Sequence, residues 1–172
     1  MENKKIAIIG AGNMGGAIVN GLLKSEFIAA SEIFVSDPKI SIIKDWQYKG
    51  VNTSDQNLEV VKNADVIILA VKPYHFKTVI QEIKPLLTSE KILISIVAGV
   101  GIEQLEKEAG ANIPIFRAMP NTAISLQESL TCISSNGNTD LHKEYVIGMF
   151  DNLGKTVVIN EELMAAATVL SS

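Results

Sequence analysis

An α/β fold, built as a mostly parallel sheet with helices on both faces, is predicted by three features of the sequence. Short apolar runs alternate with helical apolar spacing from Ile6 to Met119. The first run, Ile6 to Ile9, feeds the glycine turn Gly10-Ala11-Gly12-Asn13-Met14-Gly15 and then a helix. The run from Val66 to Val71 is wholly apolar, as a strand covered on both faces must be.

The elements can be taken in chain order. Met14, Ala17, Ile18, Gly21 and Leu22 recur at helical spacing and give the first helix one apolar face. Glu32 to Asp37 reads as a second strand, ended by Pro38. Ile40 to Tyr48 reads as a helix closed by Gly50 as its C′ residue. Val51-Asn52-Thr53 is a short third strand, after which Ser54 or Asp55 should cap a helix carrying Leu58 and Val61. Asp65 to Val71 is the fourth strand, and a helix from about Tyr74 presents Phe76, Val79, Ile80 and Ile83 on one side. Ile92 to Val97 and Ile115 to Met119 are the fifth and sixth strands, separated by a short helix marked by Ile102 and Leu105. Right-handed crossovers favour the sheet order 3-2-1-4-5-6, a Rossmann-type doubly wound arrangement. About two further strands, Ser129 to Ser134 and Lys155 to Ile159, should extend one edge. A helix between them, Asp140 to Leu153, should bury Leu141, Tyr145, Val146, Met149 and Phe150. Asn160 should cap a last helix, Glu161 to Ser172. A natural domain rarely ends inside a fresh apolar helix, so residues 1–160 are expected to form the domain. Residues 161–172 are expected to lead into a missing one, leaving Leu163, Met164 and Leu170 without partners.

Composition narrows the function. A chain of 172 residues with 47% apolar content can bury one substantial core. A net charge of −4 with a pI near 5.2 offers no basic stripe for nucleic acid. No apolar run is long enough to cross a bilayer. Lys4 and Lys5 precede an apolar run, but four residues with no cleavage motif do not make a signal peptide. A lone cysteine, Cys132, excludes an internal disulfide, reads as a buried core thiol and suits a reducing cytoplasm. No histidines, cysteines or carboxylates fall at metal-ligand spacing, so no metal is expected.

The chemistry gathers where strands end. A glycine turn between a strand and a helix suits a dinucleotide pyrophosphate. Gly10 allows the turn, Gly12 admits the phosphates to the backbone, and Gly15 lets helix and strand approach. The helix N-terminus adds unpaired N–H groups and a positive dipole end. Ligands in such sheets lie outside the carboxyl ends of the strands. Ala70-Val71-Lys72-Pro73, Ser95 to Val100 and Arg117 to Thr122 should therefore line one crevice with the glycine turn. Asp37 ends the second strand, where a carboxylate holds the ribose diol of NAD, or a hydroxyl or cation accepts the extra phosphate of NADP. Ser36 keeps a hydroxyl there and Lys39 a nearby cation, while Asp37-Pro38 also reads as a simple turn. His75 could donate to a phosphate, Lys72 belongs to a loop near phosphate, and Arg117 should pair with a neighbouring carboxylate. Trp46 should be half-buried packing, and His142 structural.

Taken together, GAGNMG, AVKP, SIVAGV and RAMPNT resemble the N-terminal domain of pyrroline-5-carboxylate reductase. The EELMAAATVLSS tail is similar to that family's approach to its GSGPAY helix. The resemblance implies NAD(P)H-dependent reduction of 1-pyrroline-5-carboxylate to proline, with this chain supplying the cofactor half. It implies that Gly10, Gly12, Asn13, Met14 and Gly15 hold the pyrophosphate. Asn57 and Ala70, Val71, Lys72 and Pro73 would lie beside the adenosine ribose. Ala98, Gly99, Met119, Pro120, Asn121 and Thr122 would wall the nicotinamide pocket. Two departures stand out. Ala123 replaces a proline of the family's MPNTP, and Asp37 stands where the family has a small hydroxyl residue or an arginine. The family default favours NADP, Asp37 favours NAD, and both remain open. The resemblance further implies that the catalytic hydroxyl, the substrate-carboxylate loop and the dimer contacts belong to the missing helical domain. This chain alone should then be monomeric and inactive, with no catalytic residue of its own. Another reductase of the same scaffold, or a non-catalytic nucleotide-binding module, are the competing readings.

Overall fold

The computed structural model describes residues 4–110, 112–137 and 139–171, with no side-chain detail from 168 onward. Eight strands form one sheet: β1 (Ile6–Ile9), β2 (Ile33–Ser36), β3 (Asn52–Ser54), β4 (Val66–Leu69), β5 (Ile92–Ser95), β6 (Ile115–Met119), β7 (Ser129–Ser135) and β8 (Gly154–Val158). Their order is β3-β2-β1-β4-β5-β6-β7-β8, parallel through β6. The core order is thus the predicted 3-2-1-4-5-6. β7 runs antiparallel to β6, and β8 runs parallel to β7, so the two added strands do extend one edge. The chain leaves β1 in one direction through β2 and returns on the other side at β4. The switch point of the sheet therefore lies between β1 and β4.

Among the described residues, seven helices cover the sheet: α1 (Asn13–Ser25), α2 (Ile40–Gln47), α3 (Asn57–Lys62), α4 (Phe76–Ile83), α5 (Ile102–Ala109), α6 (Lys143–Asp151) and α7 (Met164–Ser171). The period-two pleat decides which core each strand residue enters. Ile6, Ile8, Ile33, Val35, Val66 and Ile68 face one way, onto Ile18, Val19 and Leu22 of α1, Ile43 and Trp46 of α2, and Val146, Met149 and Phe150 of α6. Ala7, Ile9, Ile67 and Leu69 face the other way, onto α3, α4 and α5. Each fully buried Ile or Phe adds roughly 1.5–3 kcal/mol relative to exposure, so the two cores together fix the layered arrangement.

Several local expectations are corrected by tertiary context. The late helix begins at Lys143 rather than Asp140, and Leu141 is 94% exposed instead of joining the apolar face. Gln56, not Ser54 or Asp55, is the N-cap of α3, and Val60 and Val61 are buried in place of Leu58. Ser54 still works nearby: its hydroxyl donates to Glu59 and accepts the Gln56 N–H. Asn160 precedes a 3-10 turn, Glu161–Leu163, but its side chain caps nothing there. Met164, expected to lack a partner, is fully buried, whereas Leu163 is exposed. Leu170 and Ser172 lie outside the residues described at side-chain level. Cys132 is half-buried in β7. Trp46 is more deeply buried than expected, its ring lying against Gly16 and its indole N–H donating to Asn20 at 2.9 Å. Among the described residues no helix is long and apolar enough to cross a membrane.

Tyr145 of α6 supplies a titratable probe of this layer. Its ring lies 5.6 Å from that of Phe27, and its hydroxyl donates to the Lys4 carbonyl. Burial first, and the Asp65 charge second, push its pKa up to about 12. A raised folded-state pKa means that the folded chain keeps a proton the unfolded chain gives up. Stability should therefore be intact below pH 10 and fall as pH rises from there toward about 12. Urea unfolding across that alkaline range should show the decline, and Tyr145→Phe should remove this tyrosine's share of it.

Candidate functional site

At the end of β1 the chain turns so tightly that three positions touch. Gly10 has φ of +95°, and a Cβ there would stand 2.7 Å from the Ala70 carbonyl oxygen. A Cβ at Gly15 would stand 2.0 Å from the Gly10 oxygen, so only glycine lets α1 begin where it does. Backbone bonds from Gly10 N–H to Ser36 O and from Ala70 N–H to Ile9 O, each 2.8 Å, tie β2 and β4 to the same point. Gly12 differs from both. It is the N-cap of α1 at φ −65°, and a Cβ there would meet nothing within 4 Å. No side chain caps α1 and its first turn holds no acidic residue, which leaves the dipole end open to an anion.

A cleft of about 510 Å³ opens beside this turn, over the ends of β1, β2 and β4. Of the residues singled out in the sequence, Gly10, Gly12, Ser36, Asp37, Asn57, Ala70, Val71 and Lys72 line it. Asn13, Met14, Gly15 and Pro73 do not, although Asn13 follows Gly12, Pro73 follows Lys72, and Gly15 lies against Gly10 and Ala70. Ala98, Gly99, Met119, Pro120, Asn121 and Thr122 do not line this cleft; Met119 ends β6, and the others follow β5 or β6. There Asn121 accepts the Ala123 N–H at 3.2 Å and donates its own N–H to Ser129 Oγ at 3.3 Å, which shapes the turn after β6. Gly99 takes φ of +74° in open space.

Asp37 and Ser36 divide the work at the end of β2. Asp37 Oδ2 accepts the Ala11 N–H at 2.9 Å and Oδ1 accepts the Lys39 N–H at 2.8 Å. Its carboxylate is thereby fixed at the edge of the glycine turn. Ser36 is fully buried, and its hydroxyl donates to Asn57 Oδ1 at 2.8 Å. The Ser36 proton is thus engaged within the protein, while the residue still lines the cleft. Asn57 in turn donates to Glu82 Oε2 at 2.8 Å. Asp37, Asp55 and Glu82 thus set three carboxylates around the cleft, against Lys39 and Lys72.

Sequence reasoning misses Ile42, Tyr74, Val79 and Glu82 as cleft residues and gives His75 little weight. Tyr74 and His75 stand at the rim with ring centroids 4.3 Å apart. Ile42 is legible in principle, since an apolar residue on the exposed side of α2 has no core to enter. Arg117 pairs with a carboxylate as expected, but the partner is distant in sequence: Nη1 lies 2.7 Å from Glu161 Oε1.

Comparisons with known proteins extend these observations. A family model described as NADP oxidoreductase, coenzyme F420-dependent, matches residues 5–99. The pyrroline-5-carboxylate reductase of Methanosarcina acetivorans is 37% identical over 99% of this chain and 64% of its own length. A solved pyrroline carboxylate reductase from Plasmodium falciparum with NADP bound is 34% identical, with a TM-score of 0.91 over 99% of this chain and 63% of that one. A pyrroline-5-carboxylate reductase from Coxiella burnetii is 31% identical, with a TM-score of 0.93 over 99% and 64%. The chain therefore spans a little under two thirds of each of these three relatives.

The glycine geometry separates fold from binding. Gly12→Ala should cost no more than about 1 kcal/mol of stability, since its methyl group meets open space and only the N-cap preference for Gly over Ala is lost. The same methyl should lower dinucleotide affinity on the order of tenfold or more, because backbone there must approach the pyrophosphate. Gly15→Ala should instead cost about 3 kcal/mol or more of stability. Urea unfolding and calorimetric titration of the two variants would check both halves.

Proposed function

Since its match to the family described as NADP oxidoreductase, coenzyme F420-dependent, covers more than half of the chain, this protein belongs to that family, and we propose that it binds its nicotinamide dinucleotide across the switch point. The adenosine half would lie in the cleft between β2 and β4. The pyrophosphate would lie over Gly12 and the first turn of α1, with Asn13 and Met14 beside it. The nicotinamide would run toward Ala98, Gly99 and Met119 to Thr122. The observations supporting a fit are the open space at Gly12, the uncapped helix end and the size of the cleft. When bound, the reduced nicotinamide supplies a hydride; the protein orients the ring and shields it.

We further propose that the whole protein reduces 1-pyrroline-5-carboxylate to proline, with residues 1–160 as its cofactor domain and residues 161–172 leading toward the part that binds substrate. One observation carries this reading. The family model stops at Gly99, whereas similarity to pyrroline-5-carboxylate reductases continues over 99% of the chain, through Arg117 to Thr122. Substrate-dependent oxidation of NADH or NADPH by the complete gene product tests it, and no turnover with pyrroline-5-carboxylate would sink it. This chain by itself should bind cofactor without forming proline.

For cofactor choice, the proposal is NADH. A 2′-phosphate at the end of β2 would meet Asp37, held in place by two N–H groups, with Asp55 and Glu82 nearby. Ser36 has no free proton to offer it. Partly screened like-charge repulsion of this kind is worth about 1.4 kcal/mol, a factor of about ten. Calorimetric titration should give NADH the tighter binding by about that factor, and Asp37→Ser should narrow or reverse the gap. Tighter NADPH binding by the unaltered chain would instead mean that Lys39 receives the phosphate and Asp37 turns aside.

A further inference from the structure

Glu161 stands at the start of the last helical segment, far in sequence from the glycine turn, yet its carboxylate gathers groups from β6, β7 and the start of α5. Oε1 accepts from Arg117 Nη1 at 2.7 Å and from the Ile102 N–H at 3.2 Å. Oε2 accepts the Ser134 hydroxyl. Arg117 lies in β6 two residues before Met119, and Ile102 opens α5 shortly after the loop that carries Ala98 and Gly99. Arg117 is only 8% exposed, and its Nε already lacks a partner. Removing Glu161 would leave a nearly buried guanidinium uncompensated, a condition that displaces the strand or the side chain carrying it.

The loops after β5 and β6 are the ones that a dinucleotide reaches once its adenosine half fills the cleft by β2 and its pyrophosphate sits on α1. We infer that Glu161 is a positioning residue for the nicotinamide end of the site. Through Arg117 and the Ile102 N–H it holds the β5 and β6 loops in mutual register, without touching the cofactor. This inference rests on the dinucleotide reading proposed for the cleft. Because Glu161 also opens the segment running into α7, the approach of that segment and the order of the two loops are one event.

The test compares NADH with ADP-ribose, which keeps the adenosine, pyrophosphate and both riboses but lacks the nicotinamide. Glu161→Ala should weaken NADH binding by roughly five- to tenfold while ADP-ribose binding stays within about twofold. Glu161→Gln, which keeps an acceptor for Ile102 and Arg117, should recover part of the loss. Unchanged NADH affinity in Glu161→Ala, or equal weakening of both ligands in a folded variant, overturns the inference. Should Glu161→Ala fail to fold, Glu161→Gln decides by the same ratio: a selective deficit for NADH supports the role, and none overturns it. If the unaltered chain binds neither ligand, the dinucleotide reading itself fails. If it binds both equally, only the nicotinamide-end inference falls.

Discussion

The close approach of α1 to the end of β1 is the constraint on which the site depends. Gly15 sits where any side chain would strike the Gly10 oxygen, and Gly10 where any side chain would strike Ala70. That contact brings β1, β4 and α1 to a single point and aims the open backbone of Gly12 outward. The same helix continues in tight contact further along. A Cβ at Gly21 would stand 2.8 Å from Leu153 and 2.9 Å from the Ile124 oxygen, so α1 also presses on the turn after β6. One helix thereby shapes the glycine turn at its start and braces the turn after β6 further along.

Electrostatics then differ sharply over a short distance. The start of α1 presents a positive dipole end with no acidic residue in its first turn, which suits a pyrophosphate. The end of β2 presents carboxylates. Asp37 cannot swing away without giving up bonds to both Ala11 and Lys39, and hydrogen bonds to a charged group contribute roughly 1.5–3 kcal/mol each. Its orientation is therefore part of the glycine turn itself. The carboxylate at the end of β2 is thus fixed by the same loop that opens α1.

The strands and the glycine turn are legible in the sequence because their signals are local. Four apolar residues in a row, or glycines two and three apart between a strand and a helix, have few alternative readings. The features that escape such a reading depend on partners far away. Leu141 fits helical spacing, but the helix starts two residues later and leaves it in solvent. Ser54 has the chemistry of a cap, yet its hydroxyl is engaged by Glu59 while the helix starts further on. Ser36 reads as available because nothing in its neighbourhood names Asn57, twenty-one positions on, as its acceptor. Met164 reads as unpartnered only because the sheet face that receives it cannot be seen from the tail alone.

The distribution of similarity has the same physical logic. Residues 5–99 build β1 to β5 and supply every residue that lines the cleft. The loops beyond the ends of β5 and β6 lie outside that cleft. Those loops are not held by the glycine turn alone. Their register comes from Arg117, Ser134 and the Ile102 N–H, all gathered by one carboxylate at Glu161. The segment outside the family match therefore carries the carboxylate that ties β6, β7 and the start of α5 together. A fold of this kind can keep one cofactor surface and change its reaction by changing the strands and helices C-terminal to it.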